Sequence, residues 1–272
     1  MGIRLVTSIV GVALLVAILY FLPTWVLGIT FCALSAISAY ELLGNTGKLK
    51  GHPLLWVCVI AAGLVPYCTA YHPFKGAELL VLFGFGFVAF VTGIFDYQRV
   101  TFEKLAMAFM GAFVLPYFMA SLMRIYMSAG ELGKYYVLMP CIAAWGSDIM
   151  AYVTGRLCGK HKLAPHVSPK KTIEGAIGGL LGAAVGLCIF GTVMNNNYGV
   201  GLSMVTLFIS GILGGAAGQL GDLSMSLIKR NVGIKDYGKL FPGHGGVLDR
   251  FDSILFTAPI FELYLIATQI IK

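Results

Sequence analysis

Residues 173–194 read IEGAIGGLLGAAVGLCIFGTVM, and residues 201–220 read GLSMVTLFISGILGGAAGQL. Glu174 is the only charged side chain in either stretch. A helix needs about 20 mostly apolar residues to cross a bilayer, and both stretches reach that length. Glycines recur at four-residue spacing: Gly175–Gly179, Gly178–Gly182 and Gly182–Gly186 in the first, Gly211–Gly215 and Gly214–Gly218 in the second. In lipid, such spacing lets helix backbones approach closely. The fold class follows: all-α, a polytopic helical bundle embedded in a membrane.

The rest of the chain agrees. Of its 272 residues, 58% are hydrophobic and 11% charged, against roughly 45–50% and about 25% in soluble domains. Mean hydropathy is +0.86. That leaves too few charges to cover a water-exposed surface, which argues against a soluble enzyme, a secreted disulfide scaffold or a disordered chain. The six cysteines (Cys32, Cys58, Cys68, Cys141, Cys158 and Cys188) are scattered without a C-x-x-C pair and read as buried thiols.

Nine segments have spanning character: Leu5–Leu22, Thr24–Leu43, Leu54–Tyr71, Glu78–Phe95, Leu105–Met127, Tyr136–Leu157, Ile173–Met194, Gly201–Leu220 and Phe251–Ile271. Pro23 marks a tight connection between the first two. The first follows Arg4 and reads as a retained helix rather than a cleaved leader, because its apolar run is long.

With the N-terminus in the cytoplasm, fifteen of the nineteen Lys and Arg residues fall inside. Only Lys75, Arg124, Lys134 and Lys272 remain outside. The positive-inside rule therefore predicts a cytoplasmic N-terminus. Ten of the fifteen lie in two connections, the sixth-to-seventh and the eighth-to-ninth. Residues 1–135 accordingly read as a transmembrane scaffold of about five spans. Residues 136–272 read as a catalytic region of about four spans with cytoplasmic polar loops.

The eighth-to-ninth connection, Gly221 to Asp252, reads GDLSMSLIKRNVGIKDYGKLFPGHGGVLDRFD. It holds four acids (Asp222, Asp236, Asp249, Asp252) and five bases (Lys229, Arg230, Lys235, Lys239, Arg250). Acids beside bases at a membrane edge suit a site for phosphate and metal. Carboxylate oxygens and substrate phosphates are the ligands Mg²⁺ prefers, while Lys and Arg neutralise the remaining phosphate charge. The turn Pro242-Gly243-His244-Gly245-Gly246 has little side-chain bulk, so its amides can approach an anion. A plainer reading has Asp249 capping the ninth helix and Asp222 ending the eighth. Acids contribute little to topology, however, and four of them beside a Gly-rich turn favour the functional reading.

The sixth span and its loop read WGSDIMAYVTGRLCGKHKLAPHVSPKKTIEG from Trp145 to Gly175. Asp148 lies within an apolar run, where a carboxylate is expensive and by default marks a polar cavity. Lys160, Lys162, Lys170 and Lys171, with the hydroxyls of Ser168 and Thr172, form a set able to grip a polyphosphate. The spacing is not that of a P-loop. His161 and His166 read as polar loop residues. Glu262, near the centre of the ninth span, either lines the same cavity or bonds a neighbouring helix. Glu41, toward a membrane edge, reads as a snorkelling or capping residue.

The run S-x-x-K-R-x-x-x-x-K-D…P-G-H-G-G-x-x-D-R-x-D, Ser226 to Asp252, resembles the signature of the phosphatidate cytidylyltransferases, or CDP-diacylglycerol synthases. Trp145 to Gly179 is similar to that family's second block. The resemblance implies an enzyme that joins CTP and phosphatidic acid into CDP-diacylglycerol and pyrophosphate, in phospholipid biosynthesis. It also implies a homodimer in the cell membrane, with its site facing the cytoplasm. It implies a two-cation centre too, with Mg²⁺ and a second cation such as potassium. By motif match, Asp222 and Asp249 are the metal ligands, with Asp236 and Asp148 as supporting groups. Lys229, Arg230, Lys170 and Lys171 hold phosphates, and Ser168, Thr172 and Ser226 are hydroxyl partners. Lys235, His244 and Arg250 complete the substrate-binding set. One position departs: many relatives carry an acid where Met225 stands, so that position is no obligatory ligand. Two other classes stay open on the residues alone. One is a related CTP-using lipid enzyme, either a polyprenol-type kinase or an ether-lipid cytidylyltransferase. The other is a transporter or scramblase using intramembrane acids.

Overall fold

The computed structural model describes residues 11, 13–71, 76–241 and 243–271. Helix α1 spans Thr24–Tyr40 and runs on into a π-helical turn, Glu41–Asn45. Then come α2 (Leu54–Tyr71), α3 (Ala77–Phe95) and α4 (Phe102–Ser128), the last interrupted by a π-helical turn at Met110–Val114. Helices α5 (Leu138–Cys158), α6 (Ile173–Tyr198), α7 (Met204–Asn231) and α8 (Leu248–Ala267) complete the bundle. Between α5 and α6 lies a small antiparallel hairpin, β1 (Lys162–Ala164) with β2 (Ser168–Thr172), in the register Lys162 to Thr172 and Ala164 to Ser168.

Among the described residues, seven segments are long and apolar enough to cross a membrane, corresponding to α1 to α7. The all-α polytopic class holds, and the seven coincide with the second to eighth of the nine expected spans. The ninth expected span is α8, whose first turns carry Asp249, Arg250 and Asp252. The first, Leu5–Leu22, lies partly outside the described residues; within it, residues 13–20 are helical.

The chain separates into two compact units, Met1–Met127 with Ile234–Arg250, and Ser128–Gly233 with Phe251–Lys272. In the first, α1 packs on α2, α2 on α3, and the π-helical turn of α4 on both α1 and α2. Leu42, Leu43, Cys58, Ala62, Val65 and Met119 are buried there. Gly111 lets the α4 turn press onto Leu42 and Leu43; a Cβ at that position would come within 3.2 Å of Leu43. Phe85 meets Phe109 edge-to-face at 5.0 Å.

In the second unit the glycine spacing has its structural outcome. Helix α6 lies backbone-to-backbone on α5: a Cβ at Gly146 would stand 3.2 Å from the Gly182 carbonyl oxygen, and one at Gly175 would stand 2.8 Å from that of Ala151. The neighbouring face of α6 meets α7, where a Cβ at Gly211 would lie 2.5 Å from the Ala184 Cα. Gln219 of α7 adds polar contacts, donating to Ser147 Oγ and to the Ala176 carbonyl, both at 3.0 Å. Close backbone packing with a few interhelical hydrogen bonds is how helices associate without a hydrophobic driving force. Gly211→Val is therefore expected to lower the thermal unfolding midpoint of the detergent-purified protein. Overpacking of this kind costs about 1–3 kcal/mol, and an unchanged midpoint would contradict the α6–α7 contact.

Candidate active site

In the second unit a cavity of about 320 Å³ opens among α5, β2, α6 and α7. Its polar lining is Asp148, Arg156, Lys170, Lys171, Thr172 and Gln219. That size falls at the lower end of the range for ligand sites. Asp148, Tyr152 and Arg156 stand at i, i+4 and i+8 on α5, so one helical stripe supplies three lining residues. Arg156 Nη1 donates to the Tyr152 hydroxyl at 3.2 Å. The β-hairpin brings Lys170 and Lys171 to the opposite wall, and Thr172 ends the strand as the N-cap of α6. Its Oγ1 accepts the Gly175 amide at 3.1 Å. Thr172 is buried and already engaged in that cap, while its side of the turn still lines the cavity.

The hairpin is anchored locally. Glu174 accepts the backbone amides of Lys160 and His161 and pairs with His161 Nδ1 at 2.6 Å. Arg230, at the end of α7, donates through Nε to the Val167 carbonyl at 3.3 Å. His161 is thus a loop residue that fixes the hairpin, and Arg230 braces it. Ser168 lies at the start of β2, half-buried and paired in register with Ala164.

Asp222 sits on α7, half-buried, with Lys171 Nζ 2.5 Å from its Oδ2. Ser226, one turn on, donates to Asp222 Oδ1 at 3.4 Å. The carboxylate of Asp252 lies within electrostatic reach of Asp222, Lys229 and Asp148. Lys229 is buried. The second unit therefore gathers three carboxylates, Asp148, Asp222 and Asp252, with the ammonium groups of Lys171 and Lys229. Met225 is fully buried, so this position serves packing in this chain. Glu262, half-buried on α8, is not among the residues lining the cavity.

The remaining sequence-derived residues belong to the first unit. Asp249 is 6% exposed, and its Oδ2 accepts two backbone amides, from Tyr237 at 2.7 Å and Gly246 at 3.0 Å. It is therefore a clamp on the preceding loop as well as a residue of the first turn of α8. Gly245, with φ of 84°, turns the chain so closely over Asp249 that a Cβ there would stand 2.8 Å from Oδ2. Phe241 and Gly245 bridge across the turn, the Phe241 amide donating to the Gly245 carbonyl at 2.9 Å. Pro242 lies outside the described residues. His244 is half-buried, and Lys235, Asp236 and Arg250 are exposed.

Glu41 belongs to this group, which its sequence position did not reveal. It is 3% exposed, not snorkelling, and it caps a helix distant in sequence: its carboxylate accepts the Val247 amide at 3.0 Å and the Leu248 amide at 2.9 Å. Asn45, on the same π-helical turn, donates to the Tyr237 carbonyl at 2.8 Å. Asp252 and Arg156 were also legible only in part. In the sequence Asp252 reads as one of four acids and Arg156 as one of the fifteen cytoplasmic cations, although Arg156 stands two four-residue steps from Asp148.

Residues 2–268 match the model of a family described as the cytidylyltransferase family. The chain belongs to the cytidylyltransferase family. It is 34% identical over 272 residues to a phosphatidate cytidylyltransferase of Staphylococcus haemolyticus (strain JCSC1435), covering 98% of this chain and 99% of that one. A phosphatidate cytidylyltransferase of Staphylococcus aureus (strain COL) is 32% identical over 274 residues, at 98% and 99% coverage. One from Staphylococcus saprophyticus is 35% identical over 189 residues, 70% of each chain. The resemblance drawn from two blocks near the C-terminal half thus extends along nearly the whole chain. Membership makes the chain a nucleotidyltransferase embedded in a membrane, and the transporter reading falls away.

Proposed function

We propose that the chain transfers the cytidylyl group of CTP to phosphatidate, giving CDP-diacylglycerol and pyrophosphate. The observation that carries this is the convergence of Arg156, Lys170 and Lys171 with Asp148 around one cavity, the Lys171–Asp222 pair standing beside it. Three cations facing a pocket with two carboxylates at hand suit a triphosphate better than a neutral ligand.

Mg²⁺ fits the donors present. Among the described residues no group of three or more His, Cys, Asp or Glu side chains forms a cage for a metal ion. Mg²⁺ uses one or two carboxylates and completes its octahedron with water and substrate phosphates, so it needs no such cage. In the second unit Asp222 is a proposed ligand, with Asp148 and Asp252 in support; in the first unit Asp249 is a proposed ligand, with Asp236 in support; a second cation such as potassium is part of the same proposal. When bound, Mg²⁺ supplies charge neutralisation on the phosphate oxygens.

The chain's own groups do the rest by position. Lys170, Lys171 and Arg156 hold the polyphosphate so that its α-phosphorus faces the lipid phosphate. Lys229 and Arg230, with Ser168, Thr172 and Ser226, support that grip; Lys235, His244 and Arg250, in the first unit, are proposed as further substrate-binding residues. An oxygen of the phosphatidate phosphate forms a bond to the α-phosphorus while the α–β bridging bond breaks, and pyrophosphate leaves in line. The attacking phosphate is already ionised at neutral pH, so no strong general base and no covalent enzyme intermediate are needed. Fixed positive charge and alignment lower the barrier. The positive-inside distribution of Lys and Arg supports a cytoplasm-facing site in the cell membrane, where CTP arrives from water and the acyl chains stay in lipid. A homodimer is part of the same proposal.

Labelled CTP tests the reaction type. With the purified protein, phosphatidate and Mg²⁺, label at the α-phosphorus is expected to pass into the lipid, and label at the γ-phosphorus to leave as pyrophosphate. Passage of γ-label into a lipid would mark a kinase and overturn the proposal.

A further inference from the structure

Glu41 stands 206 residues before Val247, yet its carboxylate is buried against the start of α8. Each oxygen takes one backbone amide, Oε1 that of Val247 and Oε2 that of Leu248. These are among the first donors of a helix, which have no partner within it. A carboxylate there also meets the positive end of the helix dipole. The fit is tight on both sides, because a Cβ at Gly238 or at Gly246 would collide with the Glu41 carboxylate. The π-helical turn that begins at Glu41 carries Asn45 as well, and Asn45 holds the Tyr237 carbonyl of the same loop. Asp249 closes the arrangement from inside, holding the Tyr237 and Gly246 amides. Two carboxylates and one carboxamide thus fix both ends of the segment from Tyr237 to Leu248.

We infer that Glu41 is a positioning residue for the reaction: by pinning Val247 and Leu248 it sets where the Asp249 carboxylate stands. The inference rests on the reading of Asp249 as a ligand of the reacting centre. Its physical ground is that Asp249 follows Leu248 directly, so a shift of the two pinned amides is passed to Asp249 through one residue. Glu41→Gln keeps the size of the side chain but replaces one accepting oxygen with a donor, facing an amide that also donates. Glu41→Asp keeps both oxygens and the charge but draws them back by one methylene.

The test compares wild type, Glu41→Gln, Glu41→Asp and Asp249→Asn as full-length purified protein. Three readouts are taken: the kinetics of pyrophosphate release from CTP and phosphatidate, the Mg²⁺ dependence of the rate, and backbone hydrogen exchange. Glu41→Gln is expected to lower kcat about 100-fold, the scale of a misplacement near 1 Å, while KM for CTP changes little. More Mg²⁺ should be needed for half-maximal rate. Exchange should accelerate in the peptide covering 237–249 and not in α5 or α6. Glu41→Asp should fall between wild type and Glu41→Gln in both rate and exchange. Faster loop exchange with a wild-type kcat would overturn the inference, and so would unchanged exchange. If Glu41→Gln does not survive purification, Glu41→Asp carries the test, and a wild-type rate and exchange there overturn it. Asp249→Asn separates the two levels. Full activity in that variant removes the reading of Asp249 itself, whereas an inactive Asp249→Asn beside a fully active Glu41→Gln removes only the role of Glu41.

Discussion

Asp249→Asn and Asp222→Asn are each expected to lower turnover by roughly three orders of magnitude, the scale of losing charge stabilisation at a phosphoryl centre, in a protein that still folds. The structure explains why the fold survives. In Asp249→Asn the amide oxygen can keep accepting the Tyr237 and Gly246 amides, so these two loop contacts persist while the charge is removed. In Asp222→Asn the loss is the Lys171 pair, whose side chains are both 27% exposed and therefore partly screened by solvent. Exposed pairs contribute about 0–1 kcal/mol. Turnover at saturating Mg²⁺, measured beside the thermal midpoint, checks the claim. Near-normal rates in either variant would contradict the ligand assignment, and a collapsed midpoint would show a structural effect instead.

Lys171→Ala is the second large effect. Among the described residues Lys171 both lines the cavity and pairs with a proposed ligand, so its ammonium is expected to serve phosphate binding as well as to hold Asp222. A hydrogen bond to a charged group contributes about 1.5–3 kcal/mol, or about 10–150-fold in kcat/KM. Lys171→Arg should recover part of this, because charge returns with a different geometry. Lys48→Ala makes a fair control: Lys48 also holds an ion pair, 2.6 Å from Glu103, but lies on the α1–α2 connection. Loss of kcat/KM with Lys48→Ala equal to that with Lys171→Ala would point to general charge rather than to this cavity.

Local physics made part of this legible in the sequence. Gly175, Gly179 and Gly182 announced close helix packing because only a missing side chain permits backbone contact in lipid, and they line the α5–α6 contact. Asp148 stood out because a carboxylate in an apolar run is expensive, and it lines the cavity. The residues that escaped reading depend on contacts far apart in the chain. Glu41 meets its partners 206 and 207 residues away, so its sequence neighbours carry no sign of them. Asp252 gains its setting from Asp222 on α7 and Asp148 on α5, which only helix packing supplies. Arg156 is the intermediate case. Four-residue steps through Tyr152 put it on the same helical stripe as Asp148, but its charge also satisfies the topology rule, which by itself accounts for a cation there.

Pyrophosphate release by the purified wild-type protein, supplied with CTP and Mg²⁺ and either given or denied phosphatidate, tests the central claim most directly. Release is expected to require phosphatidate, with one CDP-diacylglycerol formed for each pyrophosphate. Release of CDP in place of pyrophosphate, or no consumption of CTP with phosphatidate present, would contradict it.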